Sequence, residues 1–273
     1  MPEKPEVITV VNSLKPLLLG RIIKQCNVYW DNIIAYPVTD QFRKEVIDQK
    51  INDITTRGKF IVMVLDEYKL LIHLRMEGKF FFRKKTDPLN KHEHVEFILD
   101  NDTSFRFHDV RKFGKMYLLD KNGADSVKPL CDIGYEYYDD NLTKEYLYEK
   151  IHKKKLPIKT VLLDQSIIAG IGNIYDDEIL FMSRIHPLRK ACDIEIDECN
   201  DIIKNTKIIL EKAIKLGGTT IKSFTSSEGV HGLFQNELLV HSKLGESCPV
   251  CGNIIEKIKV GGRGTYYCPK CQK

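Results

Sequence analysis

Residues 248–271 read CPVCGNIIEKIKVGGRGTYYCPKC, and this stretch decides how the end of the chain folds. Two Cys-x2-Cys pairs stand sixteen residues apart. Each pair can bring two thiolates to one tetrahedral ion, and sixteen residues suffice for a hairpin that returns the chain. The spacing therefore predicts one zinc ion held by Cys248, Cys251, Cys268 and Cys271. Four cysteines leave no open coordination position, so the zinc is expected to be structural. The other cysteines, Cys26, Cys131, Cys192 and Cys199, are scattered and read as buried or free thiols. Paired disulfides are disfavoured because no secretion signal precedes them. Residues 248–273 carry Lys257, Lys259, Arg263, Lys270 and Lys273 against Glu256 alone, so the hairpin offers a rigid basic surface of the kind that meets nucleic acid.

Upstream, the pattern is helical. Segments 143–153, 158–164, 173–182 and 194–216 carry apolar residues at helical spacing, the last with Cys199, Ile202, Ile203, Thr206, Leu210, Ala213 and Ile214 on one face. Gly217-Gly218 ends it, and residues 219–236, rich in Ser, Thr and Gly, read as a long mobile loop, of a length that in a compact domain is usually functional or disordered. Residues 132–140 show no period and read as a linker. Between about Arg21 and Leu119 the apolar runs are short and separated by turn residues, at Ile22–Trp30, Phe60–Leu65, Leu70–Leu74, Lys79–Arg83, Val95–Leu99, Thr103–Phe107 and Met116–Leu119. Such close spacing favours antiparallel pairing, because a parallel crossover needs a dozen or more residues. Val7, Val10, Val11, Leu14 and Leu18 predict a helix before these strands, disturbed by Pro16 and stopped near Gly20. No apolar run is long enough for a spanning helix and no secretory pattern opens the chain, so a cytoplasmic location is expected.

The chain opens Met1-Pro2-Glu3-Lys4-Pro5-Glu6-Val7. Proline after the initiator methionine permits its removal, which would expose a secondary amine beside a carboxylate: a nucleophile next to an acid/base group. Pro5 and the glutamates also suit the first turn of a helix. Gly170-Ile171-Gly172-Asn173-Ile174-Tyr175 directly precedes a helix, where backbone amides can hold a phosphate, and Lys153-Lys154-Lys155 and Lys159 precede it. Arg57-Gly58-Lys59 opens a strand. His73-Leu74-Arg75-Met76-Glu77-Gly78 and Asp109-Val110-Arg111-Lys112-Phe113-Gly114 each set a bulky apolar residue beside arginine, the side chains used to unstack and replace a base.

These motifs, with Gly262-Arg263-Gly264-Thr265 inside the four-cysteine segment, stand in the order seen in bacterial formamidopyrimidine-DNA glycosylase, and the resemblance spans the whole chain. It implies an α+β protein of two domains: an N-terminal helix plus antiparallel β-sandwich, and a C-terminal helix-two-turn-helix bundle with a four-cysteine zinc-finger β-hairpin. DNA would bind across the cleft. The implied divisions are a catalytic domain over 1–131, a linker over 132–140, a DNA-binding domain with a lesion-capping loop over 141–236 and the zinc finger over 237–273. The partner is double-stranded DNA containing oxidised purines, chiefly 8-oxoguanine and formamidopyrimidines. The implied enzyme is both a glycosylase and an apurinic/apyrimidinic lyase, working as a monomer.

By match to the family motifs, Pro2 is the nucleophile, Glu3 its acid/base partner, and Lys59 reaches the lesion's phosphate or sugar. Met76, Arg111 and Phe113 fill the gap left by the flipped nucleotide, with His73 beside them. Lys159, Asn173, Tyr175 and Arg263 hold phosphates, and Lys222, Thr225 and Ser226 lie in the loop that covers the extruded base. A terminal amine, with a reference pKa of about 7.7–8.0 against about 10.4 for lysine, is the better nucleophile near neutral pH, which favours Pro2 over Lys59. The chain departs from the family pattern at Lys4, where leucine is usual, at Thr56, where arginine is common, and at Thr160, where proline often stands. The alternatives are an endonuclease VIII-like glycosylase for oxidised pyrimidines and a catalytically silent lesion-binding protein.

Overall fold

The computed structural model describes residues 1–219 and 232–273; the expected loop residues Lys222, Thr225 and Ser226 lie outside the described residues. The chain groups into two units. The first comprises Met1–Cys131 and takes in Thr219 and Gly232; the second comprises Asp132–Gly218 and Leu233–Lys273.

In the first unit, alternating apolar residues build two sheets. Strands β1 (Ile23–Val28), β7 (Glu93–Leu99), β8 (Thr103–His108) and β6 (Lys79–Lys84) form one sheet in the order β1-β7-β8-β6. Strands β2 (Ile34–Tyr36), β9 (Lys115–Asp120), β5 (Tyr68–His73), β4 (Phe60–Val64) and β3 (Asp53–Arg57) form the other, in the order β2-β9-β5-β4-β3. Val95, Phe97, Phe105 and Phe107 of the first sheet share one core with Ile61, Met63, Leu70, Ile72, Met116 and Leu118 of the second. Helix α1 (Lys4–Leu18) adds Val7, Val10, Val11, Leu14 and Leu18 to the same core, each at most 4% exposed. Burying a side chain of this size stabilises by roughly 1.5–3 kcal/mol, so this stripe fixes the helix and, with it, the start of the chain.

Helix α1 takes in the exposed Pro16 and ends two residues later, ahead of Gly20 as expected, because a proline in the last turn removes only one donor that the helix would use. Two features of this unit differ from expectation. Strand β2 pairs with β9 in parallel, which its distance along the chain from β9 permits. Helix α2 (Thr39–Val46) and strands β2 and β3 were not foreseen: α2 is anchored by Phe42 and Val46 alone, and β3, Asp53-Ile54-Thr55-Thr56-Arg57, buries only Ile54.

In the second unit, α3 (Lys144–Ile151), α4 (Ile158–Leu162), α5 (Asn173–Met182) and α6 (Ile196–Lys215) surround a core that includes Leu147, Ile158, Leu162, Ile171, Tyr175, Ile179, Ile202 and Leu210. Thr143 caps α3 by accepting from Tyr146 N at 3.2 Å. The turn from α4 to α5 is stapled by Gln165, whose side chain donates to the Leu163 and Ile171 carbonyls and accepts from Gly170 N, at 2.9–3.0 Å. Residues 132–140 are tied to that turn. Gly134 N donates to Gln165 O at 2.8 Å, Tyr135 bridges Ile168, and a Cβ at Gly134 would stand 2.5 Å from the Ile167 carbonyl oxygen, so only glycine fits. The hairpin of β10 (Glu256–Val260) and β11 (Arg263–Tyr267) completes the unit. Among the described residues, no helix is long and apolar enough to cross a membrane.

Candidate functional site

Pro2 is buried and Glu3 is 2% exposed, directly ahead of α1. Glu3 N donates to Glu6 Oε2 at 2.8 Å, while Glu6 Oε1 accepts from Thr219 N at 2.9 Å and Thr219 Oγ1 at 3.1 Å. One carboxylate thus fixes both the entry to the helix and the residue at which the Ser/Thr/Gly-rich loop leaves. The positive end of the α1 dipole lies at this terminus and disfavours added positive charge there, which suits an amine that must react as the free base. Lys4 is fully buried, its Nζ donating to Thr56 Oγ1 at 2.9 Å.

The β3–β4 turn, with Gly58 at φ +53°, carries Lys59, 6% exposed. Across the sheet, Phe60 is paired with His73, whose ring meets the Phe60 ring edge-on at 4.8 Å. Burial, then the Arg75 and Lys59 cations, push the His73 imidazole down to about 3. It is therefore neutral, and its Nδ1 accepts from Arg75 N at 2.9 Å. That bond holds Arg75 in the left-handed region, at φ +53°, and leaves Met76 37% exposed at the tip. His73, expected among the DNA contacts, supports from within the loop that carries Met76.

The second wedge stretch is built in the same way. Asp109 is fully buried; its Oδ1 accepts from Arg111 N at 3.0 Å and its Oδ2 from Phe113 N at 2.9 Å and Gly114 N at 2.8 Å. Lys112 is left-handed at φ +58° and its ammonium sits 3.9 Å above the Trp30 ring. Phe113 is 49% exposed, with the Arg111 guanidinium 4.8 Å from its ring centroid. Neither Met76 nor Phe113 belongs to the core.

In the second unit, two expected phosphate ligands have other work. Lys159 is fully buried, with Nζ 2.6 Å from Asp177 Oδ1, 3.6 Å from Asp176 Oδ2 and 3.1 Å from the Asn173 carbonyl. It neutralises acids inside the unit, at a position where a phosphate holder was expected. Tyr175 is likewise fully buried, its ring 5.5 Å from that of Phe234, and serves the core. Asn173 Nδ2 donates to the Gly264 carbonyl at 3.0 Å, joining the start of α5 to the hairpin beside the exposed Arg263. Asp177 and Glu178 strengthen this joint: Asp177 Oδ2 lies 2.6 Å from His241 Nδ1 and accepts from Tyr266 N at 3.2 Å, and Glu178 accepts from the backbone N–H groups of Leu239, Val240 and His241 at 2.7–3.0 Å. Burial pushes the Glu178 carboxyl up, against the pull of those donors.

The four hairpin cysteines converge. Their sulfurs all lie within 4.8 Å of one another, with Cys248 and Cys271 at 3.8 Å and Cys251 and Cys268 at 3.5 Å. Thiolates about 2.3 Å from one tetrahedral ion stand about 3.8 Å apart, so the donor set fits zinc. Cys268 N donates to Gln272 Oε1, and Gln272 Nε2 to the Ile185 carbonyl, fastening the site to the helical core.

Sequence reasoning missed Glu6, Asp109, Gln165, Asp177 and Glu178 as organising groups. Asp176-Asp177-Glu178 gave a signal, three acids in a row inside an otherwise apolar helix, but only the fold supplies their donors.

Family comparisons cover most of the chain. The Formamidopyrimidine-DNA glycosylase N-terminal domain matches residues 1–116, the Formamidopyrimidine-DNA glycosylase H2TH domain residues 133–225, and a zinc finger found in FPG and IleRS residues 245–273. The Formamidopyrimidine-DNA glycosylase of Bacillus cereus strain ATCC 14579 is 43% identical over 273 residues, which is 100% of this chain and 99% of that protein. That of Halalkalibacterium halodurans is 42% identical over 274 residues, covering both proteins fully. A Lactococcus lactis FPG mutant in complex with a Fapy-dG containing DNA superimposes with a TM-score of 0.92 at 36% identity, over 100% of both chains. The wild-type Lactococcus protein in complex with an oxidised pyrimidine containing DNA gives 0.90 at the same identity and coverage.

Proposed function

The chain belongs to the formamidopyrimidine-DNA glycosylase family, and from that premise we propose that Pro2, with Met1 removed, is its nucleophile and Glu3 its acid/base partner. The protein is a DNA glycosylase of base excision repair that acts on oxidised purines in damaged duplex DNA, and it carries the lyase activity of its family. One structural zinc ion belongs to its four-cysteine hairpin. The observation that carries the residue assignment is a buried Pro2-Glu3 pair held at the positive end of α1, in the unit that also presents both wedge tips.

In this reading the Pro2 nitrogen bonds to the sugar anomeric carbon while the glycosidic bond breaks, and the base leaves with that electron pair and a proton. Glu3 delivers and recovers protons as the ring oxygen departs to leave an iminium. The iminium withdraws electrons, so loss of a proton from the adjacent carbon expels one strand phosphate and a second elimination expels the other. Lys59 stabilises the phosphate or sugar of the lesion. Met76, Arg111 and Phe113 hold the gap open against the few kcal/mol of lost stacking and pairing, Arg111 facing the orphaned cytosine. Arg263, with the amides that begin α5, holds phosphate. We also place the enzyme in the cytoplasm, as a monomer, where its substrate lies.

Borohydride trapping on an 8-oxoguanine:cytosine duplex tests the reading: the covalent adduct should map to the N-terminal peptide. Tight binding with no adduct would identify a silent binder. Phe113→Ala should reduce excision from duplex about a hundredfold while moving the thermal midpoint by no more than about 2 °C, since a half-exposed ring contributes little to the core; equal losses would return Phe113 to the fold. Arg263→Ala should lower the dependence of log affinity on log salt by about one, and an unchanged slope would remove its phosphate contact. A second reading, oxidised pyrimidines as additional substrates, is supported by the oxidised pyrimidine in the DNA of the Lactococcus complex. Competition between duplexes carrying each lesion decides it.

A further inference from the structure

We infer that Thr160 is a positioning residue for the phosphate grip of Arg263, an inference that rests on the reading of Arg263 as a phosphate holder. Arg263 opens β11 directly after the Gly261-Gly262 turn and is exposed. Both glycines are left-handed, at φ +54° and +79°, as a two-residue hairpin turn requires. A tip made of two glycines has wide conformational freedom, so its direction depends on what packs against it. Thr160 of α4 stands there. A Cβ at Gly261 would lie 2.9 Å from Thr160 Oγ1, 3.5 Å from its Cγ2 and 3.7 Å from its Cβ, so the threonine side chain lies flat against the turn.

The hairpin is held to the helices in steps. Gly261 meets Thr160, the Gly264 carbonyl accepts from Asn173 Nδ2 at 3.0 Å, and Tyr266 N donates to Asp177 Oδ2 at 3.2 Å. Arg263 lies between the first two. The two hydrogen bonds do not involve the threonine and would survive its loss, so Thr160 governs the tip rather than the docking of the hairpin. Its own footing is firm: Ile158 and Val161 are at most 2% exposed, Lys159 is ion-paired inside the unit, and Thr160 N donates to Pro157 O at 2.9 Å. The proline that often stands here in the family has no N–H for that last bond. The Thr160 hydroxyl is enclosed and has no hydrogen-bond partner among the described residues, so what the side chain gives the turn is shape. A tip whose direction is set before DNA arrives gives up less freedom on binding, and that saving is what Thr160 adds to the grip.

The test is affinity for lesion-containing duplex over a range of salt concentrations, measured on the full-length, zinc-loaded protein. Arg263→Ala first establishes what the arginine itself contributes. Thr160→Ala should then weaken binding about fivefold and lower the slope of log affinity against log salt by about 0.5, with zinc content and thermal midpoint unchanged. Thr160→Val, which keeps the shape and drops the hydroxyl, should bind like the wild type. In the Arg263→Ala background Thr160→Ala should change affinity by less than about 1.5-fold, because the group it positions is gone. Wild-type affinity in Thr160→Ala, a loss shared by Thr160→Val, or a fivefold loss that persists without Arg263 would each overturn the inference while leaving Arg263 as a phosphate holder. An Arg263→Ala protein with wild-type affinity and slope would instead overturn the reading of Arg263. If Thr160→Ala folds poorly, Thr160→Val and Thr160→Ser decide. Weaker binding in serine, which keeps the hydroxyl but lacks the methyl, with valine at the wild-type level, supports the inference, and any other order overturns it.

Discussion

A protein made with one additional residue ahead of Pro2, so that its nitrogen remains in a peptide bond, is expected to lose Schiff-base trapping by about 10⁴-fold or more. An amide nitrogen has no available lone pair, and an ordinary lysine, with a reference pKa of about 10.4, is almost wholly protonated near neutral pH. The structure explains why the loss should be confined to chemistry. With Met1 in place, α1 still begins at Lys4, Glu3 N still meets Glu6, and Glu6 still meets Thr219. Thermal stability and affinity for lesion-containing duplex should therefore stay within about threefold of the processed enzyme. Residual trapping at a tenth of the normal rate, or a parallel collapse of binding, would move the nucleophile away from Pro2.

Lys159→Met should destabilise the second unit by about 3–5 kcal/mol, because it leaves Asp177 and Asp176 in the interior without the ammonium they share. Urea denaturation followed in that unit measures the loss, and adding Asp177→Asn should recover part of it by removing the stranded charge. A lysine that held phosphate would behave oppositely: the fold would keep its stability and the salt dependence of DNA binding would weaken by about one unit of slope.

That contrast shows where sequence reasoning stopped. The zinc cysteines were legible because the Cys-x2-Cys spacing restricts geometry by itself, and the amphipathic helices because their period does. Pro2 and the wedge residues were legible from residue order and side-chain type. The burial of Lys159, Tyr175 and His73 is not legible, because a basic or aromatic residue near a glycine turn looks the same in sequence whether it points outward or into a core. Burial is a property of the assembled unit. Likewise α2 and β3 carry too few apolar residues to announce themselves, and form because neighbouring strands and helices supply what their own side chains do not.

The two wedge stretches separate grip from reach. In each, a buried acceptor, His73 in one and Asp109 in the other, fixes the backbone, while Met76, Arg111 and Phe113 at the tips contribute nothing to that fixing through their side chains. The tips are therefore free to vary independently of their anchors. A change of opposite-base or lesion preference can be made by exchanging residues 76, 111 and 113 within a constant frame, as a tool is changed in a fixed holder, and selection could explore those positions without risking the sandwich beneath them.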